Sequence, residues 1–237
     1  YVPSYQQIIE QIKKAEDLKQ VSGGKKFNSI KSGIVIDNIS FAYPKNELTL
    51  TDINMLIPKG KMIAIVGESG AGKSTLIDVI MGFNEPTNGT VYIDGVPLQD
   101  YDIQSYRNKI GYVPQESVLF NMSIVDNLRW AKDDATDEEI KVACKLAYAD
   151  EFIESLSEKY NTLVGDRGVR LSGGQAQRIS LARALIREPE LVILDEATSE
   201  LDTGSELMIK KAIDNLSDKT TIVIIAHRLS TISKADY

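Results

Sequence analysis

The stretch Lys61-Met62-Ile63-Ala64-Ile65-Val66-Gly67-Glu68-Ser69-Gly70-Ala71-Gly72-Lys73-Ser74-Thr75-Leu76-Ile77-Asp78-Val79-Ile80-Met81 decides how this chain folds. Lys61 to Val66 is a nearly continuous apolar run of the kind that makes a strand buried on both faces. Ser74 to Met81 has the make-up of a helix. Between them, Gly67 to Ser74 fits G-x-x-x-x-G-K-[ST], and its position after a buried strand and before a helix is the context that gives the pattern its meaning. The glycines let the backbone wrap closely, so that successive N–H groups and the positive end of the helix surround phosphate oxygens. Lys73 adds charge at the β- and γ-phosphates, Ser74 offers a hydroxyl to Mg²⁺, and Thr75 can bond a phosphate or cap the helix. The competing reading is a chance glycine turn.

Working outward, Ile110 to Val113, Leu191 to Leu194 and Thr221 to Ala226 are further short apolar runs suited to strands of a parallel sheet. Ile34 to Phe41, Leu48 to Ile57 and Thr90 to Ile93 carry β-branched and apolar residues between Pro, Gly and Asn punctuation and suit an antiparallel sheet. Between Ser123 and Leu156 the pattern turns helical, with Thr136 and Glu139 spaced as a capping box. The expectation is an α/β fold: a phosphate-loop core with a mixed, largely parallel sheet, an antiparallel β subdomain, and a helical subdomain inserted over about residues 116–170. Apolar positions Tyr5, Ile8, Ile9, Ile12 and Ala15 recur at helical spacing, and the polar run Ser22 to Lys26 reads as a linker. This predicts an appendage over 1–32 and the folded domain over 33–237.

Composition narrows the partners. With 237 residues, 43% hydrophobic and 26% charged, the chain is an ordinary globular one. Its 27 basic against 34 acidic residues, a net charge of −7, have the wrong sign for a nucleic acid backbone, so no nucleic acid partner is expected. A lone cysteine, Cys144, fits a reducing compartment and lies at helical spacing from Ile140, Ala143 and Ala147, which predicts a small buried side chain. Apolar stretches such as Thr221 to Ala226 are far shorter than the roughly 18 residues a membrane helix needs.

Two further strings carry chemistry. Leu191-Val192-Ile193-Leu194-Asp195-Glu196 places two carboxylates at the end of an apolar strand, the edge at which open α/β sheets bind ligands. Asp195 suits a Mg²⁺ site and Glu196 the water that attacks, although two acids on a solvated turn would look alike. Leu171-Ser172-Gly173-Gly174-Gln175 precedes the helical pattern Ile179, Leu181, Ala182, Leu185, Ile186, and would open that helix as a second anion-binding terminus or as an ordinary serine cap.

Taken in this order, the Walker A string Gly67 to Ser74, the string Leu171 to Gln175 and the Asp195-Glu196 pair resemble the ATP-binding domain of ABC transporters. The resemblance covers nearly everything from about Gly33 onward. It implies that Tyr43, in Phe41-Ala42-Tyr43-Pro44, stacks on adenine, and that Gln115, in Tyr112-Val113-Pro114-Gln115, touches Mg²⁺ and faces a membrane domain. It further implies that Ser199 and Asp202 belong to a loop crossing between paired domains, with Glu200 where a small residue is common. His227 would contact the γ-phosphate, joining Glu196 and Lys73 as catalytic residues. Val164-Gly165-Asp166-Arg167-Gly168 resembles the loop of exporters that senses the membrane domain, with Asp166 where glutamate is usual.

The resemblance therefore implies an ATP-hydrolysing motor of an exporter at the cytoplasmic face of a cell membrane. Two such domains, alike or different, would close head-to-tail around two ATP, each ATP between one phosphate loop and the partner's Leu171 to Gln175 string. The start of the chain is placed like the end of a last transmembrane helix. At Tyr237 the chain stops where the family continues through further strands and a helix, so a truncated end is expected. A soluble ABC ATPase of DNA repair or translation, or a weakly hydrolysing regulatory module, are the alternatives.

Overall fold

The computed structural model describes residues 7–12, 24–44, 48–165, 170–197, 201–216, 220–226 and 235–236. Among these the strands form two four-stranded sheets. The first is antiparallel, in the order β2-β1-β4-β5, from β1 (Gly33–Ala42), β2 (Leu48–Pro58), β4 (Asn88–Ile93) and β5 (Val96–Pro97). The second is parallel, in the order β3-β8-β7-β6, from β3 (Met62–Ile65), β6 (Ile110–Val113), β7 (Leu191–Asp195) and β8 (Thr221–Ile225).

The apolar runs of β7 and β8 follow from their two-sided burial, since every residue of both strands is buried. Side chains alternate along a strand. Leu191, Ile193, Val223 and Ile225 therefore enter a core shared with β1, β4 and α1 (Lys73–Ile80), whereas Val192, Leu194, Ile222 and Ile224 enter a second core. That second core is closed by α3 (Ile124–Arg129), α4 (Asp137–Leu146), α5 (Asp150–Glu154), α6 (Gly173–Leu185) and α7 (Thr203–Leu216); α2 (Ile103–Arg107) precedes β6. The parallel sheet is thus the middle layer of three. Thr136 and Glu139 make the expected capping box at the start of α4, and Cys144 lies fully buried on that helix.

Residues 7–12 are helical, with Ile8 and Ile12 exposed. From Lys25 onward the chain packs on the fold, the Lys25 N–H donating to the Asp100 carbonyl at 2.9 Å. Phe27 sets its ring edge-on against Tyr101 and Tyr106, at 5.6 and 5.2 Å, and its N–H donates to Ser105 Oγ at 2.8 Å. Ile30 is buried in the same core and donates its N–H to Glu190 Oε2 at 3.2 Å. The packed part of the chain therefore includes residues before Gly33. At the other end of the chain, Asp236 accepts from Met62 N at 3.0 Å and pairs with Lys61 Nζ at 2.9 Å, at the root of β3.

Candidate nucleotide site

Register places the site. Ile65 pairs with Ile225, and Ile225 pairs with Asp195, so β3, β8 and β7 end side by side. The loop Val66 to Ala71, the turn at Asp195-Glu196 and the Pro114-Gln115 segment after β6 leave this common edge, where parallel α/β sheets present their ligand sites.

The loop is exposed from Val66 to Ala71. Lys73 closes it from below, its Nζ donating to the carbonyls of Gly67 at 2.9 Å and Glu68 at 2.8 Å. Gly72, the residue that caps α1, has φ 87°, in the left-handed region. A side chain there would also strike β2, because a Cβ would stand 2.8 Å from Leu50 Cδ2 and 3.0 Å from the carbonyl oxygen of Thr49. Thr75 is buried, and its Oγ1 lies 3.4 Å from the hydroxyl of Tyr43, which packs edge-on against Phe41 with centroids 4.9 Å apart. The phosphate loop and the aromatic of the antiparallel sheet are thereby brought together.

Asp195 is 7% exposed, and its Oδ2 accepts from the Tyr112 hydroxyl at 3.3 Å, with the Ser74 hydroxyl near enough to favour its charged form. Burial pushes its pKa above the usual carboxylate value, and Glu196 adds to this, against the two hydrogen bonds and the Lys73 charge. Asp78 of α1 is raised as well, first by burial and then by Asp195. The Tyr112 hydroxyl is pushed up to about 12, by burial first and by the negative Asp195 beside it. A hydroxyl and a carboxylate close together beside a phosphate loop form the hard oxygen donor pair that Mg²⁺ takes, so Ser74 and Asp195 fit that ion. Gln115 stands exposed on the segment after β6.

Glu196 occupies the left-handed region at φ 49°, and its N–H donates to the Ile225 carbonyl at 3.1 Å. This conformation costs a non-glycine residue about 1–2 kcal/mol, and the turn off β7 depends on it.

Ser172 caps α6, accepting from Gln175 N at 3.3 Å while Gln175 Oε1 accepts from Ser172 N at 3.0 Å. Leu171 packs on the second core, Gly173 is exposed, and Gly174 is buried against α7. Asp202 caps α7, its Oδ1 accepting from the N–H groups of Gly204 and Ser205, both at 3.0 Å. Gln177 of α6 is buried, donates to the Pro114 carbonyl at 3.2 Å and accepts from the Ser117 hydroxyl. His227, Asp166, Ser199 and Glu200 lie outside the described residues.

Sequence reasoning did not single out Tyr112, Asp78 or Gln177. Tyr112 carried a signal, a phenol in an otherwise aliphatic strand.

The profile of the ABC transporter family matches residues 50–199. The heterocyst differentiation ATP-binding protein HepA of Nostoc sp. (strain PCC 7120 / SAG 25.82 / UTEX 2576) is 48% identical over 210 residues, covering 89% of this chain and 35% of that protein. The mitochondrial potassium channel ATP-binding subunit of Xenopus tropicalis is 46% identical over 220 residues, covering 92% of this chain and 32% of that protein. Among solved structures, a bacterial Atm1-family ABC exporter with ATP bound superposes with a TM-score of 0.86 at 35% identity, over 98% of this chain and 42% of that one. The chain thus spans about a third of the length of these curated relatives. Fold, edge geometry and relatives agree, and the chain belongs to the ABC transporter family, as its ATP-hydrolysing nucleotide-binding domain.

Proposed function

We propose that this chain is the motor of a membrane exporter, binding Mg-ATP at the edge where Gly67 to Thr75 meet Asp195. The observation that carries this reading is the register that ends β7 at Asp195 beside β8 and β3, next to a loop closed by Lys73. Gly67, Glu68, Ser69, Gly70, Ala71 and Gly72 wrap the phosphates, Lys73 and Thr75 add side-chain contacts, and Tyr43 stacks on the base. Ser74, Asp195 and Gln115 hold Mg²⁺, which when bound would neutralise charge on the phosphate oxygens. Glu196 orients and polarises the attacking water, with His227 at the γ-phosphate.

In this reading a second domain of the same kind pairs head-to-tail, offering Leu171, Ser172, Gly173, Gly174 and Gln175 to the ATP of its partner across a crossing loop that includes Ser199 and Asp202. Repeated closing and reopening drives an attached transmembrane domain at the cytoplasmic face of a membrane, through Gln115 and Asp166. A groove of about 420 Å³ beside the Gln115 segment supports a docked partner there. Its lining includes exposed Val118 and Trp130 and the cations Arg183 and Arg187. No described helix is long and apolar enough to cross a membrane itself.

Glu196→Gln tests the reading. It keeps the side-chain size but removes the basic carboxylate, so turnover should fall at least about a hundredfold while ATP binding persists. Light scattering should then show a dimer that depends on Mg-ATP. Near-parent turnover without such a dimer would reject the assignment.

A further inference from the structure

We propose that Tyr112 is a positioning residue for the metal-binding carboxylate, its hydroxyl holding Asp195 in the orientation that accepts Mg²⁺. The inference rests on the reading of Asp195 as a Mg²⁺ ligand. It starts from the parallel register of β6 and β7, in which Tyr112 pairs with Ile193. Asp195 lies two residues further along β7, on the same face as Ile193. A diagonal neighbour of this kind is too far for a short side chain but within reach of an aromatic one. The phenol spans the gap and donates to Asp195 Oδ2 at 3.3 Å.

Asp195 needs such a restraint for two reasons. The terminal torsion of an aspartate is broad and roughly two-fold, so an unanchored carboxylate swings between orientations. Its neighbours also push it, since Glu196 follows it directly and Asp78 of α1 faces it across the sheet edge. Ser74 is a second neighbour of the carboxylate, and its oxygen would also be offered to the ion while its O–H stays free to donate. Tyr112 is the anchor from the neighbouring strand that would carry no second duty. Tyr112 is 38% exposed, but the carboxylate its hydroxyl meets is buried, so water competes with it only in part.

The test compares ATP affinity with and without Mn²⁺ by calorimetric titration, in the parent chain, Tyr112→Phe and Asp195→Asn. The ratio of the two affinities is the contribution of the metal. Phe keeps the ring and removes only the hydroxyl, so metal-free affinity should stay at the parent value. The ratio should fall about three- to tenfold, the range expected for one hydrogen bond to a charged, partly exposed group. The Mg²⁺ concentration that half-saturates turnover should rise by the same factor, with kcat near the parent's. An unchanged ratio in Tyr112→Phe, or a metal-free affinity that falls in step, overturns the role of Tyr112. Asp195→Asn separates the two claims. If it leaves the ratio intact, the metal assignment fails; if it abolishes the ratio while Phe preserves it, only the role of Tyr112 fails.

Discussion

Gly174 and Ser205 meet where α6 crosses α7, so closely that a Cβ on Gly174 would stand 2.0 Å from Ser205 Oγ and 2.2 Å from Ser205 Cβ. Two effects oppose each other in Gly174→Ala. Helix propensity favours alanine by about 1 kcal/mol, but a backbone-adjacent Cβ cannot swing aside, and overpacking of this kind costs about 1–3 kcal/mol or more. The overlap should win. Urea unfolding should show Gly174→Ala destabilised, unrelieved by Ser205→Ala, which keeps its Cβ, and largely restored by Ser205→Gly. Equal stability of the Ala and Gly forms would show that the helices separate at little cost.

Tyr43 touches Thr75 through its hydroxyl, which lets stacking be separated from that contact. Tyr43→Phe should bind ATP within about twofold of the parent, and Tyr43→Ala should lose about 1 kcal/mol, the worth of an aromatic pair. Fluorescence titration with a nucleotide analogue reads both. If Phe loses as much as Ala, the hydroxyl rather than the ring face holds the nucleotide.

Asp195 gives the nucleotide-free domain a pH dependence. Its folded pKa is raised above 3.8 by burial and by Glu196, so the folded chain binds this proton more tightly than the unfolded one. Stability from this group therefore falls as pH rises from about 4 through the raised pKa. Asp195→Asn should melt about 2–4 °C higher than the parent at pH 7, the scale of ~1 kcal/mol in a domain of this size. That advantage should shrink toward pH 4. A lower melting temperature for Asn at pH 7 would contradict the burial cost.

Burial raises the Cys144 thiol to about 12, with Tyr160 and Asp150 nearby. The native chain should therefore be inert to a disulfide reagent at pH 8 and titrate one thiol after denaturation. Rapid labelling of the folded chain would mean that α4 opens locally.

Much of this was legible because the signals are local. Gly67 to Ser74 contains its own loop and helix start, Thr136 and Glu139 their own cap, and the apolar runs of β7 and β8 follow from burial on both faces. Parts of the site were legible only through the resemblance to a family, such as Tyr43, since an aromatic after a strand has no chemistry of its own until Thr75 is placed beside it. What was not legible depends on register between distant strands. Tyr112 and Asp195 meet because β6 and β7 run parallel in one alignment, and a shift of one residue would turn the phenol to the opposite face. Phe27 and Ile30 were hidden for a similar reason. They follow the polar run Ser22 to Lys26 that reads as a linker, while the pocket that receives them is built by Tyr101, Tyr106 and Glu190.

The two bonds of Gln177 tie the segment around Gln115 to α6. Pro114 and Ser117 bracket Gln115, and both are held by one buried amide of α6, whereas β6 is held by its ladder to β7 up to Val113. Freeing the bracket would leave a buried amide unpaired, at about 1–3 kcal/mol. The Gln115 segment is therefore fastened to α6 rather than to the sheet, and the change of partner falls at the peptide joining Val113 to Pro114. A displacement of the first turns of α6 would reach Gln115 directly, through one buried amide, before it reached the strand that leads to it.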